Sequence, residues 1–161
     1  MTCIAYRDGV ISADSRVWVN SEDGGARFYE HSPKLFRVGY GKDEAIIATA
    51  GASDPGNRFI DWWRNGRPAT DEKIKGGTML VLKRSVGQAS IELWEYDESW
   101  TGERMYEPYY AIGTGTKLAL GAFVMGATAK QAVEAACKHD PYCGGKVHAW
   151  RLGDDQQLKW E

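Results

Sequence analysis

Thr2 is the residue whose place in the chain gives it chemistry. It follows Met1, and loss of Met1 leaves Thr2 with a free α-amine and a hydroxyl on one residue. That is a nucleophile and a base in minimal form. An α-amine titrates near ~8, so a useful neutral fraction exists at pH 7. Cys3 is a rival nucleophile only if processing goes one residue further. Cys137, His139, Cys143 and His148 read as Cys-x-His-x3-Cys-x4-His. This matches no usual zinc spacing, so no metal is expected. Gly113-x-Gly115 lacks the third glycine of a dinucleotide fingerprint, and no cofactor is expected. Trp62-Trp63 with Arg58, Arg64 and Arg67 reads as core plus a subunit contact surface, because Trp and Arg favour interfaces.

Composition limits what this chemistry can serve. A chain of 161 residues suits one domain, here 1–161. With 43% hydrophobic and 26% charged residues it lies near globular averages, which excludes wholesale disorder. Twenty Lys and Arg face 22 Asp and Glu, a net charge of −2. That argues against a nucleic-acid partner, which needs a clustered basic surface. No run approaches the ~18–20 apolar residues of a membrane span; Leu118 to Ala127 is short and contains Gly121 and Gly126. The N-terminus lacks the charged and apolar regions of a signal peptide, so a cytoplasmic setting is expected. Three cysteines are an odd number without a framework, which favours reduced thiols.

The elements that must position Thr2 follow from turn and cap signals. Residues 2–6 and 10–14 flank Asp8-Gly9, a strong hairpin signal because Gly takes positive φ freely. Residues 20–26 read as a polar loop, and 27–31, 34–40 and 44–50 as strands. Residues 51–56 read as a turn. Ser53 or Asp54 is expected to cap a helix reaching Asn65 and ended by Pro68. Strands are expected over 78–84, 89–96 and 105–112. Two helices follow, over about 114–125 and 128–139. Thr128 and Gln131 form a capping box for the second, and Asp140-Pro141 stops it. A closing strand covers 147–152. Hairpin-linked strands with segregated helices indicate α+β. Two sheets stacked face to face with helices outside would bury the Trp-rich content.

Three blocks in order carry a resemblance over nearly the whole chain. The first is Thr2-Cys3-Ile4-Ala5-Tyr6-Arg7-Asp8-Gly9 through Ala13-Asp14-Ser15-Arg16. The second is Ser32-Pro33-Lys34-Leu35-Phe36, then Thr49-Ala50-Gly51. The third is Gly113-Thr114-Gly115, then Ala119-Leu120-Gly121, then Asp140-Pro141-Tyr142-Cys143-Gly144-Gly145. In these the sequence resembles the proteasome β-subunit family of N-terminal nucleophile hydrolases. It looks most like the short proteasome-like proteins of bacterial, phage and prophage genomes.

The resemblance implies a four-layer α-β-β-α sandwich and a threonine-type peptidase that self-assembles into a homo-oligomeric ring or related assembly. Substrates would be peptides or unfolded chains. No ATPase motif is present, so any unfoldase would be a separate protein. By the same resemblance Thr2 is the nucleophile, Lys34 sets a positive charge beside it, and Asp14 pairs with Lys34. The Gly51 amide forms the oxyanion hole. Thr114, Asp140 and Cys143 position the α-amine, and Thr49 and Ala52 line a roomy substrate pocket. Two positions depart from the usual Ser. Thr114 keeps the hydroxyl, whereas Cys143 offers only a weak S–H. The spacing over 20–27 also differs. Taken singly, Asp14 reads as a hairpin cap, Lys34 as a solvated strand residue, and Gly113 and Gly115 as helix-entry glycines; it is jointly with Thr2 that they read as a site. Two other functions stay open: a catalytically silent assembly protein, and an enzyme for non-peptide amides.

Overall fold

The computed structural model describes residues 2–73, 75–85, 87 and 90–153. Met1, expected to be lost, and Ala89, expected to open a strand, lie outside the described residues. The described elements run β1 (Ile4–Arg7), β2 (Val10–Ala13), β3 (Val17–Asn20), β4 (Ala26–Tyr29), β5 (Leu35–Val38), β6 (Ala45–Gly51), α1 (Ser53–Arg64), β7 (Gly77–Arg84), β8 (Ile91–Tyr96), β9 (Gly102–Met105), β10 (Tyr109–Ile112), α2 (Thr116–Val124), α3 (Ala129–His139) and β11 (His148–Trp150). A short 3-10 turn, Gly41–Asp43, precedes β6. The chain is thus mixed α and β, with three α-helices among the described residues. It divides into two compact units, 1–35 with 107–149 and 36–106 with 150–161.

The first unit is built on a four-stranded sheet in the order β10-β1-β2-β11. Asp8 and Gly9 take φ of 53° and 79°, and this doubly left-handed turn matches the twist of the β1–β2 hairpin. Helices α2 and α3 pack on β1, β2 and β10. The contact is made mostly of small residues: Cys3, Ala5 and Ala111 from the sheet side meet Ala119, Ala129, Ala132 and Ala136, together with Phe123. Close approach requires Gly115, where a Cβ would stand 2.8 Å from Cys3 Cβ and 2.9 Å from Ala136 Cβ. The capping box of α3 forms as expected. Gln131 N–H donates to Thr128 Oγ1 at 3.2 Å, and Thr128 N–H to Gln131 Oε1 at 2.9 Å. Arg7 donates from Nη1 to the carbonyls of Phe123 and Ala127 at 3.0 and 3.1 Å, satisfying open carbonyls at the C-terminal end of α2.

The second unit holds a five-stranded sheet, β5-β6-β7-β8-β9, with Ile47 opposite Val81 in the β6–β7 register. Helix α1 packs on β6 and β7. Phe59, Trp62, Trp63, Tyr96 and Trp100 gather there, with Trp62 and Trp100 centroids 4.9 Å apart. Trp62 and Trp63, expected to contribute to the core, are packed into this aromatic cluster.

Two local expectations are corrected and two hold with added detail. The strand expected over 105–112 is two strands in two sheets, β9 and β10, and Tyr106-Glu107-Pro108 separates them, because Pro has no N–H for a ladder. The polar loop expected over 20–26 is present over 21–25, as the connection of a hairpin between β3 and β4. Ser21 N–H donates to Gly25 O at 2.8 Å and Gly24 takes φ +83°, pairing β3 with β4. Ala52, not Ser53 or Asp54, is the N-cap of α1. Gly51 turns the chain at φ +101° and Ala52 N–H bonds Gly76 O at 3.1 Å, so the helix starts a residue early. It runs to Arg64 with Asn65 as its C-cap, as expected, and the Pro68 carbonyl beyond it accepts Trp62 Nε1–H at 2.9 Å.

Candidate active site

Six of the nine residues expected at the site lie in the first unit. Thr2 is only 3% exposed and stands one residue ahead of Cys3, where the β1–β2 ladder continues. Asp14 Oδ1 accepts the Cys3 N–H at 3.1 Å, and Asp14 N–H returns to Cys3 O at 3.2 Å. The other oxygen, Oδ2, accepts Gly144 N–H at 3.0 Å. Asp14 is 0% exposed and does cap the hairpin, but from a buried position. A buried carboxylate without donors would be very costly, and here it has them.

Lys34, immediately before β5, is 5% exposed. Its ammonium donates to Asp14 Oδ1 at 2.8 Å and to Arg16 O at 2.6 Å. A solvated strand lysine is thereby excluded. The ammonium and the Cys3 amide share one carboxylate oxygen, which puts the positive charge beside the peptide that joins Thr2 to Cys3. Hydrogen bonding of both ions is the condition under which a buried pair is tolerated.

The loop between β10 and α2 holds the carbonyl side of Thr2. Gly115 N–H donates to Thr2 O at 3.2 Å and Thr114 Oγ1 lies 3.5 Å from it. Gly113 takes φ +95°, and a Cβ there would stand 2.0 Å from Thr2 O. Only glycine brings this loop so close to residue 2.

Asp140 and Cys143 follow α3. The Cys143 thiol donates to Asp140 Oδ2 at 3.3 Å and lies 3.7 Å from Thr114 Oγ1. The three side chains form one chain of polar contacts next to residue 2. Burial opposes the Asp140 carboxylate, but bonds from Tyr142 N–H, Thr114 and Cys143 outweigh it and hold its pKa below the usual value. Burial first, then the Asp14 charge, pushes the Cys143 thiol up to about 12. Cys143 therefore serves as a neutral donor and not as a thiolate.

Thr49, Gly51 and Ala52 belong to the second unit. Thr49 and Gly51 are on β6 and Ala52 caps α1. Thr49 packs beneath α1, where a Cβ on Gly56 would come within 2.9 Å of its Cβ. Gly51 abuts Gly76, whose carbonyl lies 2.1 Å from where a Gly51 Cβ would stand.

Sequence reasoning passed over three partners. Arg16 O and the Gly144 N–H are main-chain groups and leave no side-chain signal. Arg16 itself bridges from Nε to Glu30 Oε1 at 2.8 Å and from Nη1 to Pro141 O at 2.9 Å, fixing the loop that carries Gly144. Its partner Glu30 lies across the β3–β4 hairpin, whose first strand the sequence does not announce. Among the described residues no group of three or more His, Cys, Asp and Glu is placed to hold a metal ion.

No family model matches the sequence, and no curated protein matches it. Solved structures do match by shape. The chain is similar to Thiobacillus denitrificans BPH in complex with epoxomicin, with a TM-score of 0.61 and 17% identity over 95% of this chain and 99% of that one. It is similar to eukaryotic HslV from Trypanosoma brucei, with a TM-score of 0.60 and 15% identity over 92% and 97%. A second structure of Thiobacillus denitrificans BPH gives 0.56 and 17% over 96% and 99%. At these identities the likeness establishes the fold, that of HslV and bacterial proteasome-like proteins.

Proposed function

We propose that the protein is an N-terminal threonine amidohydrolase, a proteasome-like peptidase subunit that acts once Thr2 is freed at its amine. The Thr2 amine takes the hydroxyl proton while Oγ attacks the scissile carbonyl. The amine then returns the proton to the leaving nitrogen, and an ester to Thr2 remains for water to cleave. Lys34 stabilises negative charge developing beside Thr2. Thr114, Asp140 and Cys143 orient the amine. Gly51 as oxyanion donor, and Thr49 and Ala52 as pocket wall, are carried by the family resemblance alone. The same reading has the subunit working as a homo-oligomer in the cytoplasm on peptides or unfolded chains, with any unfoldase a separate protein.

The observation that supports this most is the buried Lys34–Asp14 pair hung on the amide that follows Thr2. Stability alone does not require it, since apolar residues of similar volume commonly serve as well as a buried ion pair.

The test begins with the intact mass, which should lack Met1. Hydrolysis of fluorogenic peptides and covalent capture by epoxomicin are then measured on the wild type and on Thr2→Ala and Thr2→Ser. Loss of both in Thr2→Ala, with partial activity in Thr2→Ser, is expected. Undiminished cleavage by Thr2→Ala sinks the threonine mechanism. A processed wild type that neither cleaves peptides nor is captured points to the assembly role, and turnover of small acyl-amides alone points to a non-peptide substrate.

A further inference from the structure

Arg16 lies just before β3, and its side chain reaches four groups of the first unit. Nε donates to Glu30 Oε1 at 2.8 Å and Nη2 to Glu30 Oε2 at 3.3 Å. Nη1 donates to Pro141 O at 2.9 Å. Cζ stands 5.1 Å from the centre of the Phe28 ring. The guanidinium also lies against Gly144, where a Cβ would come 2.6 Å from Nε. The main chain of the same residue meets the Lys34–Asp14 pair, since Arg16 O accepts Lys34 Nζ at 2.6 Å.

Asp140-Pro141-Tyr142-Cys143 is a turn closed by Cys143 N–H on Asp140 O at 3.1 Å, with Pro141 at a position that favours it. Such a turn is rigid within itself, so its place is set by its attachments. It carries Asp140 and Cys143, two of the three polar side chains next to residue 2. Arg16 holds it on both flanks of Cys143, at Pro141 O and against Gly144. Gly144 in turn donates to Asp14 Oδ2 at 3.0 Å and accepts Ser15 N–H at 2.9 Å. The other end of the grip is Glu30, whose carbonyl leaves no room for a Cβ on Gly145. With 26% of the Arg16 side chain and 38% of the Glu30 side chain exposed, the ion pair adds little to stability. What a two-pronged guanidinium–carboxylate contact does add is a fixed orientation.

We infer that Arg16 is a positioning residue for the reaction, one that sets where the turn of Asp140 and Cys143 stands relative to the Thr2 amine. It touches no reacting atom and acts through Pro141 and Gly144. The assignment rests on the threonine-peptidase reading above. A shift of about an ångström in such a turn would misplace the amine that carries the proton, and displacements of that size cost up to ~10²-fold in rate.

Kinetics with a fluorogenic peptide on the processed full chain test this. Arg16→Met should lower kcat by ~10- to 100-fold with KM nearly unchanged, the pattern of a lost transition-state contact and not of lost substrate binding. Arg16→Lys keeps the charge without the fork and should recover little of that loss. Methylguanidinium should restore kcat in Arg16→Ala, and methylammonium should not. Gly144→Ala pushes on the same guanidinium, so it should lower kcat by itself yet change little in Arg16→Met, because residues that act as one unit are non-additive. Thermal midpoints confirm that each variant is folded at the assay temperature. A wild-type kcat in Arg16→Met or in Arg16→Lys overturns the assignment. So does a raised KM at constant kcat, which makes Arg16 a substrate-binding residue, and so do equal rescue by the two cations and additive losses in the double variant. A processed wild type that neither turns over the peptide nor is captured by epoxomicin fails at an earlier step, overturning the threonine reading and this assignment with it.

Discussion

Cys3 and Asp14 exchange two hydrogen bonds, one from the Cys3 N–H to the Asp14 carboxylate and one from the Asp14 N–H to the Cys3 carbonyl. The first replaces a ladder bond with a side-chain bond at the end of the β1–β2 hairpin. A single residue thus ends the ladder and supplies the counter-ion of Lys34.

That double duty predicts an asymmetry between the partners. Lys34→Met leaves a buried carboxylate without its cation, and such losses cost about 3–5 kcal/mol. Asp14→Leu also strands two main-chain donors, Cys3 N–H and Gly144 N–H, so it should destabilise more. Chemical denaturation of the two single variants and the double variant checks this. A double variant as stable as Lys34→Met would show that the two amides find other partners.

Glycines in one short stretch should respond in opposite directions. Gly113→Ala forces a Cβ into the Thr2 carbonyl and should lower both the thermal midpoint and any peptidase rate. Gly121 lies inside α2 with nothing within 4 Å of a Cβ. Gly121→Ala should therefore stabilise by roughly 0.5–1 kcal/mol. Paired melting curves distinguish these signs.

How far the sequence reached is clear from these residues. Asp8-Gly9 and the Thr128–Gln131 box were legible because each acts within a few residues. The β9–β10 break was not, since two strands of one apolar pattern join different sheets and only Pro108 marks the change. Lys34 and Asp14 were legible through family likeness, whereas the bonds holding them come from Arg16 O and Gly144 N–H, which any residue type could supply. Cys143 lies beside Thr114 and Asp140, but the character of its thiol depends on burial and on Asp14 and Asp140, which the sequence does not show.

The thiols should be slow to react. Burial raises Cys3 above the ordinary range, Cys143 to about 12 and Cys137 to about 11. Only a thiolate attacks, so alkylation by iodoacetamide at pH 7.5 should be far slower than in urea. Cys137, the one half-buried thiol, should label first. Mass-mapped time courses test the order, and early labelling at Cys143 would contradict it.

Stability should fall on mild acidification. Burial first, then the Lys146 charge, lowers the His148 pKa from 6.5. The unfolded chain therefore binds a proton before the folded one does. Stability is complete above about pH 6.5 and declines as pH drops from there through the lower folded value. Asp140, also lowered, adds a second decline as pH falls below its unfolded value of 3.8. Urea midpoints at pH 7.5 and 5.5 should differ for the wild type and differ less for His148→Asn.

Conserving the conservative alternative at Cys143 gives another measurement. Cys143→Ser places a stronger donor between Thr114 and Asp140, so it should hold the amine better. The peptidase rate is expected to rise several-fold, in line with the ~10²–10⁴ attributed to well-placed proton transfer as a ceiling. An unchanged rate would mean that the amine is oriented without this side chain.

Strand β1 lies between β10 and β2 rather than at an edge. Chain ends ordinarily fray, and a reactive terminus on a frayed end would sample many geometries in every turnover. Here the backbone just behind Thr2 is hydrogen-bonded on both sides, to Asp14 and to the loop at Gly115. Fixing one residue's backbone takes ~1–2 kcal/mol of entropy, and this cost is met once, when the sheet forms. On the function proposed above, removal of Met1 is then a cut alone, with no later folding of the terminus.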